Sequence, residues 1–346
     1  PFDGGLINLP AVVIASAVTS LLYIGTRESA TVNSVLVVVK VIALTVFIAL
    51  TIPVMHAANF QPFAPLGFGG VAGAAASIFF AYVGFDAVST AAEETRNPQR
   101  NVPIGLVGSL AICTVYYLLV SAGAIGSIGA QPVLDPATGH GLATGSIELA
   151  RACQLPVNHN ALACSGEALA HVLRQIGSPK VAALIGLAAF VALPSVILIL
   201  IFGQTRISFA MARDGLLPAV LAKIHPRFRT PYVVTVLTGV GVILAAAFFP
   251  VGKLADVSNA GTLFAFLTVA IGVMTLRVKQ AARKRPFRTP AIWVIGPLAV
   301  GGCIFLFFSL GLFTQLVFVA WTVFGLLIYT GYSRRRSHLG ISTAAG

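Results

Sequence analysis

Charge is what this sequence lacks. Only 9% of its 346 residues are Asp, Glu, Lys or Arg, against about a quarter in a soluble globular chain. So few charges cannot cover a water-facing surface, and 57% of the residues are hydrophobic. A soluble protein with a large core is therefore excluded. Catalytic signatures are missing too. There is no G-x-S-x-G, no H-E-x-x-H, no G-x-x-x-x-G-K-[ST] and no Cys/His cluster at metal-ligand spacing, so neither an enzyme nor a cofactor or metal site is expected. Also absent are an initiator Met and a charged leader segment; the chain starts at Pro1, and that start reads as truncated.

What the chain has is apolar length. Runs long enough to cross a bilayer fall at 7–25, 30–52, 70–92, 103–126, 180–206, 232–250, 258–277, 290–309 and 311–331. Runs of this length mark helices rather than the short alternating strands of a barrel. The expected class is an all-α integral membrane protein with about nine transmembrane helices, forming a single polytopic domain over 1–346.

The scarce charges are unevenly placed. The net charge is +12, which invites a nucleic-acid reading, but the positions explain it better. Seventeen of the 22 basic residues lie in alternate loops and the tail: Arg27; Arg96 and Arg100; Arg206 to Arg229; Arg277 to Arg288; Arg334 to Arg336. The positive-inside bias makes these loops cytoplasmic, with the N-terminus outside and a basic cytoplasmic tail at 332–346. Anionic membrane lipid is the expected partner of that excess charge, and no nucleic acid is expected. The one long outside loop, 127–179, carries Cys153 and Cys164. They either form a disulfide or remain two thiols, and both readings stay open. Cys113 and Cys303 lie in apolar spans and read as packing residues, and His140, His159 and His171 as surface polar groups.

Two positions inside the spans stand out. Lys40, in "NSVLVVVKVIALTVFIAL", lies about 15 Å from the inner end of its span at helical rise. A lysine near the bilayer centre costs about 2.5–3.5 kcal/mol on insertion scales and must face protein. It is either a structural lysine held by carbonyls or a coupling group that changes charge or partner. The second position is in "FFAYVGFDAVSTAAEETRNPQRNVPIG", 79–105. A helix from Gly73 to Tyr82 meets Gly84, which weakens helical preference at mid-depth. Asp86 suits the N-terminus of a second half-helix electrostatically. An interrupted helix at the midplane points to a solute site; the plainer reading is an unbroken helix with Gly84 as a packing notch. Asn97–Pro98 favours a turn, and Pro103 can start the next helix. Inside, Glu93 or Glu94 could pair with Arg206 or Arg213 as a gate. Arg213-Asp214-Gly215 reads as a helix end. Ser258, Asn259, Gly261 and Thr262 open the seventh span, either capping that helix or lining an outer vestibule, with capping the safer choice. So few ionisable groups within the spans favour passage of a solute over hydrolysis.

The 79–105 segment closely resembles a signature of the amino acid–polyamine–organocation (APC) superfamily, cationic amino acid transporters in particular. "GQTRISFAMARDGLLPAVLAKIHPRFRTP" resembles that family's eighth helix and following loop, and "NSVLVVVKVIALTVFI" its fifth. The resemblance covers nearly the whole chain, with 132–166 as an insertion. It implies a leucine-transporter-type fold of two inverted five-helix repeats plus two further helices. The nine spans here correspond to helices four to twelve, so the inverted repeat is partial. The first three helices are absent, and with them the glycine-rich break that holds a substrate carboxylate. It further implies secondary active amino acid transport at the bacterial cytoplasmic membrane by a proton-linked symporter. Phe80, Ala81, Val83 and Gly84 would line the substrate, and Asp86 would help bind its ammonium group or a cationic side chain. Lys40 would stand where related carriers hold sodium. The rival reading is a truncated, non-transporting membrane scaffold or accessory subunit.

Overall fold

The computed structural model describes residues 7–25, 30–61, 63–64, 67–84, 97–135, 141–142, 147–158, 161–249, 251–282, 285 and 287–336. Among them the regular structure is helical. The principal helices are α1 (Leu9–Ile24), α2 (Ala30–Thr51), α3 (Gly67–Ile78), α4 (Pro98–Ile128), α5 (Ile147–Cys153), α6 (Ala168–Gln175), α7 (Pro179–Arg213), α8 (Tyr232–Phe248), α9 (Val251–Lys279), α10 (Ile292–Ser309) and α11 (Leu312–Ile328). Six helical segments of the described chain are long and apolar enough to cross a bilayer: Ser34–Val54, Pro98–Ile128, Pro179–Arg213, Val251–Lys279, Ile292–Ser309 and Leu312–Ser333. Shorter apolar helices, Leu9–Ile24, Gly67–Tyr82 and Tyr232–Phe248, occupy the other three expected spans. Large apolar side chains on these helices point outward, Phe190, Leu298 and Trp293 among them at 69%, 69% and 61% exposure. An apolar exterior of that kind suits hydrocarbon rather than water.

Two helix starts differ from expectation. α4 begins at Pro98, not Pro103. Asn97, at φ 50°, turns the chain and its carbonyl accepts from Arg100 and Asn101 N–H at 3.1 and 3.0 Å. Proline at the first helical position loses no bond, so Pro98 starts the helix and Pro103 is carried inside it at the loss of one. α9 begins at Val251, two turns before Ser258. Ser258, Asn259, Gly261 and Thr262 therefore lie within the helix and do not cap it, because nothing from Val251 to Val257 except Gly252 opposes helix formation. The end at Arg213 is as the sequence indicates: Asp214 caps α7 and Gly215 follows at φ 79°.

The chain divides into two compact units. The first takes Pro1–Phe60, Leu118–Val251 and Thr322–Gly346. Within it α1 lies along α8, where an atom added at Gly239 would meet the Thr19 side chain, so glycine sets the close approach. Val18, Leu22, Leu198 and Ile201 form one core, and Phe47, Val172, Leu173 and Ile185 another. The second unit takes Gln61–Tyr117 and Gly252–Trp321. Its core joins Ala76, Ala260, Leu263 and Leu310, flanked by Phe79 and Phe307.

Candidate functional site

Within the second unit, α3 stops being an α-helix at Ile78. Phe79–Tyr82 tightens into a 3₁₀ turn, Val83 turns extended at φ −63°, ψ 134°, and Gly84 follows at φ 114°. Extended backbone followed by a positive φ is the combination used by type II turns, and it favours glycine at the second position. Helical bonding thus ends at the Val83–Gly84 step, within the apolar run 70–92, and residues 85–96 lie outside the described residues.

The reason lies partly outside α3. Changing from i+4 to i+3 bonding leaves carbonyls at the joint short of their helical donors. Side chains from two other helices supply replacements. Asn259, fully buried on α9, donates through Nδ2 to the Ala76 carbonyl at 3.0 Å and the Ser77 carbonyl at 3.3 Å. Among the described residues its Oδ1 is buried without a partner. Tyr117 on α4 donates its hydroxyl to the Ala81 carbonyl at 2.8 Å. Tyr82 shares a 3.1 Å hydrogen bond with Thr114 and meets the Tyr117 ring edge-on at 5.2 Å. Ser77 donates to Asp256 Oδ1 at 3.5 Å. The interrupted segment is thereby held by a polar frame in an otherwise apolar unit.

Of the expected substrate-lining residues, Phe80, Ala81, Val83 and Gly84 all lie on this segment, with Phe80 43% exposed. Asp86 falls outside the described residues, as do Glu93 and Glu94. The sequence offers Asn259 as a helix cap or a vestibule residue and gives Tyr117 and Thr114 no role. Each is a hydrogen-bonding side chain within an apolar span, and that was the available signal.

Lys40 belongs to the first unit. Its Nζ donates to Ser195 Oγ on α7 at 3.5 Å, the long limit of a hydrogen bond. Ser195 is buried at 6% exposure and donates in turn to the Ala192 carbonyl at 2.8 Å. It follows Pro194, which has no N–H to offer the Phe190 carbonyl and so loosens α7 there. The lysine thus has a polar neighbour on another helix. Near the end of α7, Arg213 pairs with the adjacent Asp214 at 3.5 Å, and Arg206 lies over the Phe202 ring at 4.1 Å. In the loop 127–179 Cys153 and Cys164 are disulfide-bonded. Among the described residues no three His, Cys, Asp or Glu side chains gather as metal ligands.

Comparison with known proteins bears on this arrangement. Residues 6–332 match the family model described as amino acid permease. The chain is 41% identical over 334 residues to a branched-chain amino acid permease of Bacillus subtilis, covering 96% of this chain and 66% of that protein. It is 38% identical to the methylthioribose transporter of the same organism, covering 97% of this chain and 66% of the relative. A chloroplastic cationic amino acid transporter of Arabidopsis thaliana is 33% identical over 300 residues, 86% of this chain and 48% of that protein. The chain therefore spans about two thirds of the length of the bacterial relatives. These relatives are permeases and transporters, not enzymes. With its apolar helices and apolar exterior, the chain is an all-α, multi-pass membrane protein that belongs to the amino acid permease family.

Proposed function

We propose that the protein is a secondary active amino acid transporter, a proton-coupled symporter of the cytoplasmic membrane, with substrate held at the interrupted segment of residues 80–86. The observation that carries this reading is the end of helical bonding at Val83–Gly84, within an apolar run of a chain of the permease family. Irregular backbone is tolerated in a bilayer where it is buried in protein or lines a cavity, and discontinuous helices are where transporters bind their solutes. A carbonyl has two lone pairs, so one that accepts from Asn259 or Tyr117 retains capacity for a substrate ammonium group. Asp86 would add a negative charge to the same end of the substrate. That suits any α-ammonium group and favours a cationic side chain, and the naming of relatives for branched-chain and for cationic amino acids supports testing both classes.

Lys40 is the coupling group in this reading. A cation on α2 beside a serine on α7 can exchange partners or give up its proton as the helices rock, which ties transport to a proton gradient. The basic loops and tail face the cytoplasm, where they also touch anionic lipid; the loop 127–179 faces outward.

The experiment is uptake of radiolabelled leucine and arginine into proteoliposomes, with and without an inward proton gradient. Uptake should be driven by the gradient in the parent protein. Lys40→Ala should lose gradient-driven accumulation while keeping exchange of labelled for unlabelled amino acid. Undiminished accumulation in that variant removes the coupling role, and a folded parent that moves neither amino acid favours the scaffold reading instead.

A further inference from the structure

Asp256 lies on α9 three residues before Asn259, and residues at that spacing are neighbours on one helix face. Both side chains reach the same residue of α3. Ser77 donates its hydroxyl to Asp256 Oδ1 at 3.5 Å, and its carbonyl accepts from Asn259 Nδ2 at 3.3 Å. The three form a polar ladder that runs inward: Ser77 is exposed, Asp256 half-buried and Asn259 fully buried.

The inner end of the ladder is short of a donor. Asn259 gives its amide N–H bonds to the Ala76 and Ser77 carbonyls, so its Oδ1 can only accept. Among the described residues nothing donates to that oxygen, and a buried acceptor without a donor is costly. An ionised Asp256 cannot serve, because a carboxylate only accepts; a protonated one carries an O–H. Other ionisable side chains are few on the described elements around it. α3 has none from Gly67 to Ile78, and α11 none from Leu312 to Ile328. α10 brings Cys303 to the core, and α4 brings Tyr117, whose hydroxyl is bonded to the Ala81 carbonyl. On α9 itself Lys253 lies one turn before Asp256, its ammonium over the Phe313 ring at 5.2 Å.

We propose that Asp256 is a proton-binding residue of the transport cycle and that Asn259 reads its charge state. The proposal rests on segment 79–84 being the substrate site. A proton from water adds to a carboxylate oxygen of Asp256, and the new O–H donates to Asn259 Oδ1. The Asn259 amide is then bonded through both its nitrogen and its oxygen. Its hold on the Ala76 and Ser77 carbonyls, where α3 tightens, becomes firmer. When the proton returns to water, Oδ1 loses its donor and the hold loosens. Proton and ordered segment favour each other, and by linkage so do the proton and a substrate that needs the segment ordered. Carboxyl groups within spanning helices are usual members of proton relays. A metal cation is the rival for the same oxygens. Hard metal ions take about six or more oxygen ligands, whereas the ladder offers the side chains of Ser77, Asp256 and Asn259 alone. A proton needs one donor and one acceptor.

The test is amide exchange of the purified full protein in detergent, without substrate, read as protection factors for residues 76–84 from about pH 8 to about pH 4. Protection in the parent should rise about five-fold or more on acidification, the least that follows from giving a buried acceptor its donor. Asp256→Asn carries a permanent N–H donor and does not titrate, so it should show the acid level of protection at every pH. Glu167→Gln removes a carboxyl from an exposed pair with Arg174 and should keep the parent's step. Replacing choline chloride with sodium chloride at constant pH should leave protection unchanged. No step in the parent, a step that survives in Asp256→Asn, its loss in Glu167→Gln, or protection by sodium each overturns the proposal. If Asp256→Asn fails to fold, the parent's pH and sodium measurements still decide it. The readout uses neither substrate nor transport, so a protein that moves no amino acid would count against the transport reading alone.

Discussion

Replacing Gly84 with alanine should close the interruption in α3. The backbone at φ 114° is a region that L side chains rarely adopt, and holding one there costs about 1–3 kcal/mol. Alanine also gains about 1 kcal/mol over glycine wherever residue 84 joins a helix instead. The two effects have the same sign, so the balance between broken and continuous segment moves by roughly 2–4 kcal/mol, or about 30- to 700-fold. Against that stand the bonds from Asn259 and Tyr117, which hold the broken form at the Ala76, Ser77 and Ala81 carbonyls. Interhelical bonds of this kind contribute about 0.6 kcal/mol on average and about 1.7 at most in a membrane protein. At the average, three of them amount to about 1.8 kcal/mol, less than the smallest expected shift. Initial rates of amino acid uptake into proteoliposomes should therefore fall at least several-fold in Gly84→Ala. Gly73→Ala on the same helix is the control, because an added Cβ there meets nothing within 4 Å among the described residues, and it should transport as the parent does. If folded Gly84→Ala matched the parent in kcat/KM, the link between that backbone conformation and transport would be refuted.

Three further outcomes are expected. Asn259→Leu removes a buried oxygen that has no partner among the described residues, a relief of about 1–3 kcal/mol, as well as two donors; thermal stability should change little, whereas amide exchange across 79–84 should accelerate. Gly239→Ala drives a methyl into the stiff side chain of Thr19, whose Cβ would be 2.9 Å away, and should destabilise the α1–α8 contact by about 1–3 kcal/mol, seen as a lower melting temperature. Cys153→Ser opens a loop closed across a separation of 11 residues and should lower the local stability of 147–164 by about 2–4 kcal/mol, read by proteolysis of that loop, with little change in uptake rate.

Much of the helical layout was legible because hydrocarbon imposes it. Each of the nine apolar runs contains a helix, and Gly84 stands where the helical bonding of the described part of one of them ends. The starts of α4 and α9 were misplaced for local reasons. Asn97 accepts the first helical amides and moves the start back to Pro98, and no strong breaker delays α9 to Ser258. What could not be read was the partnership between distant segments. Asn259 is 182 residues from Ser77 and Ser195 is 155 from Lys40. A polar residue in an apolar span announces that it needs a partner, but not which helix provides one. The same holds for Tyr117, whose hydroxyl reaches a carbonyl 36 residues away. Cys153 and Cys164 were compatible with either redox state; proximity in the folded loop makes the bridge.

The central claim is that substrate sits at the Val83–Gly84 interruption. The most direct measurement is substrate protection of a thiol placed there: Val83→Cys in a background where the free cysteines Cys113 and Cys303 are serine, labelled with a small membrane-permeant thiol reagent. A transported amino acid should slow labelling in proportion to its occupancy, with a half-effect near its KM for uptake. Labelling that proceeds at one rate with and without a saturating, transported amino acid would contradict the account.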